Sequence, residues 1–330
     1  MKAARIVTTL AMAAILVCLG IWNVLPVAGQ DSTAAADEIA FVPSPVQSYT
    51  TETTKISDGE NASTVQGNAV NDKYFSEQWA FGRIQGWQTT AGGPEVLIAV
   101  LDTGIDTRHE DLAGKVVKSV NFSKSATASD VVGHGTHIAG IIAATANNEI
   151  GVAGLAPNVR LLNVKIGDDK GMVWASAVAK GIVWAVDNGA KIINMSLAVP
   201  NSTPALEEAV AYAASKDVVL IAAAGNSGTS VPTYPASCSN VIAVGATSSD
   251  GERWEKSNYG DWVDVYAPGT EIISTHPGNT YGYRSGTSMA TAYVTAVAAL
   301  TFNTVTDADG DGLVNDEVAG KLKTFFTISQ

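Results

Sequence analysis

The sequence predicts an α/β fold: a doubly wound, mostly parallel sheet with helices on both faces. Three observations predict it. Residues 96–101, 161–165, 192–197, 218–223 and 241–246 are short apolar runs that read as buried strands. Between them lie amphipathic helical runs such as 172–188 and 204–216. Apolar strands separated by helices imply a parallel sheet covered on both faces. Ligands in such sheets sit at the carboxyl ends of strands, and two polar residues, Asp102 and Asn226, fall just past such ends.

With 330 residues and 46% hydrophobic content, the chain can bury one large core, and nothing in it suggests a second folded domain. Lys2 and Arg5 precede an apolar run over 6–28, the form of a secretory signal. Val27, Ala28 and Gly29 offer small residues for cleavage, so residues 1–29 are expected to leave an exported, extracellular protein. Left uncut, the run of roughly twenty residues is long enough to span a bilayer as an anchor. Leu16 and Val17 before Cys18 do not suit a lipoprotein anchor; once the signal is removed only Cys238 remains, so no intrachain disulfide can form. Residues 30–70 are rich in Ser, Thr, Ala, Asp and Glu without helical or strand periodicity, and read as a short disordered prosegment or linker. Residues 71–330 then form the folded domain, expected to be monomeric. The net charge of -12 argues against a nucleic-acid partner, which needs clustered Lys and Arg.

Three segments carry the chemistry. Asp102 lies in Val100-Leu101-Asp102-Thr103-Gly104-Ile105-Asp106, His134 in Gly133-His134-Gly135-Thr136-His137-Ile138-Ala139-Gly140, and Ser288 in Ser285-Gly286-Thr287-Ser288-Met289-Ala290. Taken singly, Asp102 reads as a turn residue before Gly104 and His134 as a helix-start residue. Jointly, and in the order Asp, His, Ser, the segments resemble the subtilisin family of serine peptidases, thermitase-like members included. The resemblance runs from about Asn71 to about Leu322. It implies a subtilisin-like three-layer fold and a secreted serine endopeptidase that cleaves proteins or peptides through an acyl-enzyme.

A serine hydroxyl is a poor nucleophile at neutral pH and needs an imidazole to take its proton and a carboxylate to fix the imidazole. By resemblance, Ser288 attacks, His134 is base and then acid, and Asp102 orients His134. Ser288 opens a helix through Ala290, Val294, Val297 and Leu300, whose start suits a developing oxyanion. Asn226 matches the family's oxyanion asparagine. Thr291, Ala292 and Tyr293 stand where most members have a small residue, Pro and His, so altered packing is expected there.

In the family an extended peptide adds as a strand between two segments, which map to Gly171-Met172-Val173 and Ser196-Leu197-Ala198. Ala198 and Val199 replace two glycines, and Thr233 falls on the pocket floor, where a smaller residue is usual. Both changes imply a narrow pocket favouring small or medium apolar side chains before the scissile bond. Ser227 on the pocket wall gives no acid for basic specificity. Arg284 either faces the leaving side of the cleft or is a solvated loop arginine.

The resemblance also implies calcium, held by Asp111, Asn148, the carbonyls of Ala146, Ile150 and Val152, and Asp72 from the N-terminal segment. That set meets calcium's demand for six to eight oxygens. Asp307, Asp309 and Asp311 begin an EF-hand-like loop, but Val318 stands at position twelve, leaving an incomplete calcium loop or an acidic turn. Two rivals remain: a secreted non-catalytic calcium-binding scaffold, and a latent zymogen. A cysteine or metal hydrolase is disfavoured because His134 and His137 lack a matching third ligand and Cys238 sits in no catalytic motif.

Overall fold

The computed structural model describes residues 70–84, 96–302, 304–308 and 315–326, together with the backbone of Glu38–Ile39. The described residues lie within one compact unit, Asp37–Gln330. Its strands are β1 (Glu38–Ile39), β2 (Leu97–Asp102), β3 (Val116–Asn121), β4 (Arg160–Lys165), β5 (Val173–Trp174), β6 (Ile192–Met195), β7 (Val219–Ala223), β8 (Val241–Thr247), β9 (Val265–Pro268), β10 (Ile272–His276) and β11 (Thr280–Arg284). Its α-helices are α1 (His134–Ala143), α2 (Ala175–Asp187), α3 (Pro204–Ala214), α4 (Thr287–Phe302) and α5 (Asn315–Phe325).

Seven strands form one sheet in the order β3-β4-β2-β6-β7-β8-β9, and every neighbouring pair is parallel. Successive side chains of a strand point to opposite faces, and the core divides accordingly. Ile98 and Val100 of β2 join the cluster containing Ile138, Ile142, Ala292 and Val294 of α1 and α4. Ala99 and Leu101 join the cluster containing Val178 and Ile182 of α2 and Leu206 and Val210 of α3. The result is the expected doubly wound, three-layer arrangement.

Each predicted strand is present, with shifted ends. The run over 192–197 ends as a strand at Met195, because Ser196 leaves the sheet: its Oγ donates to Ser288 O at 3.0 Å and accepts from Asn194 Nδ2 at 3.0 Å. The helix expected from 172 begins at Ala175, since Val173 and Trp174 pair as β5. Pro204 sits in the first turn of α3, and Thr203 caps it, its Oγ1 accepting from Leu206 N at 3.3 Å. Helix α4 is buried on every side from Thr287 to Thr301, wedged between the sheet and helices α1 and α5. An antiparallel hairpin, β10–β11, turns through Gly278 and Asn279, both at positive φ, and delivers the chain to Ser288.

Two residues of the stretch read as a linker, Glu38 and Ile39, form a strand that pairs antiparallel with Trp174 and Val173. The rest of residues 1–69, the apolar run over 6–28 included, lies outside the described residues. No helix among the described residues is long and apolar enough to cross a membrane.

Candidate active site

Asp102 ends β2 at the carboxyl edge of the sheet and is 5% exposed. Its Oδ1 accepts from Thr103 N at 2.7 Å and lies 2.7 Å from His134 Nδ1. His134, the first residue of α1, is 2% exposed. An ionised Asp102 requires the proton on Nδ1, which leaves a lone pair on Nε2 for a proton acceptor's work. This close approach of α1 to β2 depends on Gly135: a Cβ there would lie 2.1 Å from Gly104 O and 3.0 Å from Asp102 Cβ.

Ser288 is the second residue of α4, and its Oγ donates to Ser196 O at 3.2 Å. Asn226, on the loop after β7, is held by Thr287. Its Oδ1 accepts from both Thr287 N and Thr287 Oγ1 at 2.9 Å, and Thr287 Oγ1 in turn accepts from Gly225 N at 3.1 Å. The Asn226 amide is thereby oriented with its Nδ2 donor turned away from Thr287, beside the segment that carries Ser288.

Of the two predicted groove segments, 196–198 touches this centre through the Ser196–Ser288 bonds. Gly171, at φ +80°, closes a turn by donating to Asp168 O at 2.9 Å and leads through Met172 into Val173 of β5. Ser196 and Leu197 are buried, and Val199 exchanges two 2.8 Å backbone bonds with Tyr234. Ala198 Cβ lies 3.5 Å from the place a Cβ on Gly225 would take, so this methyl faces the loop bearing Asn226. Thr233, before the cis Tyr234–Pro235 bond, donates its hydroxyl to Ala224 O at 2.9 Å.

The sequence profile of the subtilase family matches residues 93–319. The chain belongs to the subtilase family. It is 49% identical over 215 residues to the thermophilic serine proteinase of Bacillus sp. (strain AK1), covering 65% of this chain and 54% of that protein. It is 47% identical over 234 residues to thermitase of Thermoactinomyces vulgaris, covering 70% and 84% respectively. Subtilisin BL of Lederbergia lenta is 44% identical over 228 residues, with 68% and 84% covered. The subtilase thus spans about half the length of the Bacillus proteinase.

The residues expected to hold calcium in this subtilase come together around the loop that follows α1. Asp111 is fully buried; its Oδ1 accepts from Asn148 Nδ2 at 2.7 Å, and its Oδ2 from Val152 N and Tyr281 Oη at 3.0 Å. Burial pushes its carboxyl above the usual range, which outweighs those donors. Asp72 accepts from Asn147 N at 2.7 Å through Oδ2, while its buried Oδ1 has no hydrogen-bond partner among the described residues. A buried, unsatisfied carboxylate oxygen is costly without a cation or donor, so the donor set fits a hard cation. Ala146, Ile150 and Val152 lie on the same loop, tied to the N-terminal segment by Tyr74 N donating to Gly151 O at 2.8 Å. No group of three or more His, Cys, Asp or Glu suited to a metal occurs among the described residues. The predicted set needs only two such carboxylates. Asp307 precedes Ala308, whose N donates to Glu317 Oε1 at 2.6 Å; Asp309 and Asp311 lie outside the described residues.

Several supporting residues escaped the sequence reading. Asp130 is 4% exposed and accepts five bonds at the start of α1: Thr103 Oγ1, Val132 N and Gly133 N through Oδ1, and Thr136 N and Thr136 Oγ1 through Oδ2. It does the capping that Gly133, the formal N-cap, lacks a side chain to do. An acid four residues before His134 was the available signal. Asn258 braces the Asn226 loop, donating to Ala224 O at 2.8 Å and accepting from Ser227 N at 3.0 Å. Arg284 is no solvated loop arginine: it is 4% exposed. Tyr293 is packed edge-on to Phe81, centroids 6.4 Å apart, in the main core. His137 points away from the site, its Nε2 facing Ile272 O at 3.0 Å and Gly282 O at 3.2 Å.

Proposed function

We propose that this subtilase is a secreted serine endopeptidase working through Asp102, His134 and Ser288, with Asn226 in the oxyanion hole. The observation that carries the reading is the buried 2.7 Å Asp102–His134 bond at the carboxyl edge of the sheet. Thr287, the residue before Ser288, fixes the Asn226 amide through its N–H and its hydroxyl, which supports a shared role for the two. Substrate entry turns Ser288 Oγ from Ser196 O to His134 Nε2, which takes the proton as Oγ attacks the carbonyl carbon. Asp102 stabilises the imidazolium that forms. Asn226 Nδ2 and the free N–H groups at the start of α4 receive the developing oxyanion. His134 then returns the proton to the leaving amine, and water repeats the cycle on the acyl-enzyme. Hydrolysis of casein by the purified protein, compared with Ser288→Ala and with phenylmethylsulfonyl fluoride treatment, tests this. Cleavage surviving both controls would remove Ser288 from the mechanism.

Residues 171–173 and 196–198 form the substrate-binding walls in this reading, with Thr233 and Ala198 narrowing the pocket towards small or medium apolar side chains. Calcium, held by Asp72, Asp111, Asn148 and the carbonyls of Ala146, Ile150 and Val152, would pin the N-terminal segment to the loop after α1. Export would follow from residues 1–29.

A second reading, a latent zymogen, draws on β1. Glu38–Ile39 lies antiparallel on β5, the strand where a substrate backbone is expected to add. Casein cleavage that starts only after a lag, in step with loss of residues preceding 70, would support it.

A further inference from the structure

We propose that Arg284 is a positioning residue which, with His276 as its neutral partner, clamps the Val132–Gly133 link and so fixes His134 relative to Ser288. The proposal rests on the catalytic reading of His134 and Ser288 given above.

Arg284 ends β11, four residues before Ser288, so its backbone belongs to the segment that carries the nucleophile. Its side chain reaches the other segment. Nη2 donates to Val132 O at 3.1 Å, two residues before His134, and Nε donates to His276 Nε2 at 3.2 Å. His276 closes the grip from the opposite side. A Cβ on Gly133, which sits at φ +84°, would lie 2.8 Å from His276 Nδ1, so the imidazole packs against the bare Cα of the residue preceding His134. The guanidinium has no ion-pair partner among the described residues, and its Nη1 is buried without a hydrogen bond. Asp130 and then Asp102 are the negative charges that favour it, at longer range. Removing a charge this far from water is unfavourable without compensation. A fold that needed only packing here would accept an apolar side chain; what the guanidinium adds is a rigid fork between two catalytic segments.

The clamp requires His276 to accept a hydrogen bond, hence to be neutral. The groups facing His276 agree with that state: Arg284 from β11, His134 and His137 from α1, the latter with its ring 5.8 Å away, and His109 from the loop after β2. All are potential cations.

The test is steady-state kinetics on a tetrapeptide p-nitroanilide, which places only the uncharged nitroaniline beyond the scissile bond and so offers no acidic side chain for a leaving-side contact with Arg284. Arg284→Leu is expected to lower kcat about tenfold or more by misplacing the base, with KM within about twofold. Arg284→Lys, which keeps the charge but not the planar fork, still loses kcat. If Arg284→Leu does not fold, His276 decides: His276→Gln, which retains an acceptor, loses less kcat than His276→Leu. An unchanged kcat in folded Arg284→Leu, full kcat in Arg284→Lys, or equal kcat in the two His276 variants overturns the clamp. Residual activity in Ser288→Ala would instead overturn the catalytic reading on which it rests.

Discussion

Protonation of His276 gives this fold a defined acid weakness. Burial first, then Arg284, His134 and His109, lower its pKa from 6.5 to about 4. Between those values the unfolded chain binds the proton and the folded chain does not, so stability rises with pH across the window and falls as pH drops from 6.5. The full shift corresponds to about 3 kcal/mol at 1.36 kcal/mol per unit, of which about 2 kcal/mol is lost by about pH 5. Replacing His276 with Gln removes the titration while keeping an oxygen to accept from Arg284 Nε. Urea unfolding of Ser288→Ala and of Ser288→Ala/His276→Gln, at about pH 7.5 and about pH 5 with calcium present, isolates the effect, the inactive background preventing self-digestion. The loss of stability on acidification should shrink by about 2 kcal/mol in the double variant. His137, also held neutral by burial and then by Arg284, His276 and His134, is present in both proteins. Parallel losses in the two proteins would refute the assignment.

Three further outcomes are expected. Asn226→Ala should lower kcat by about 10²–10³ with little change in KM, a magnitude that comes from the relative subtilisin; a loss below threefold would mean that Nδ2 does not meet the oxyanion. Chelation should lower the thermal midpoint by about 5–10 °C where calcium had been at about a hundred times its Kd, and Asp72→Ala should blunt that response; a midpoint indifferent to chelator would dismiss the calcium assignment. Peptides with Leu or Ala before the cut should be hydrolysed faster than those with Phe, and Ala198→Gly should narrow the gap; fastest turnover on Phe in the parent enzyme would show that Ala198 and Thr233 do not restrict the pocket.

The sheet was legible because its central strands are dry on both faces and so appear as unbroken apolar runs. Strand β3 escaped because it is an edge, half exposed and polar, with an irregular register between Val116 and Lys118. Helix α4 shows little apolar periodicity, being buried all round, and only the serine motif marked where it began. The same contrast holds at the site. Asp102, His134, Ser288 and Asn226 sit in short local patterns that chemistry constrains. Asp130 and Arg284 are defined by what packs around them from 27 residues away and 152 residues away. A loop arginine is ordinarily solvated, and nothing local to Arg284 announces that His276 and Val132 will close over it.

The burial of α4 has a consequence for how the protein dies. A helix with no wet face cannot fray or detach by itself, so its amide protons should exchange only when the whole domain opens, while the loops around Gly171 and Asn226 exchange by small local excursions. Ser288 rides in the first turn of that helix. In the catalytic reading, the alignment of Ser288 and the domain's integrity are therefore lost in one event, and the half-life of activity on heating measures the rate of global unfolding itself.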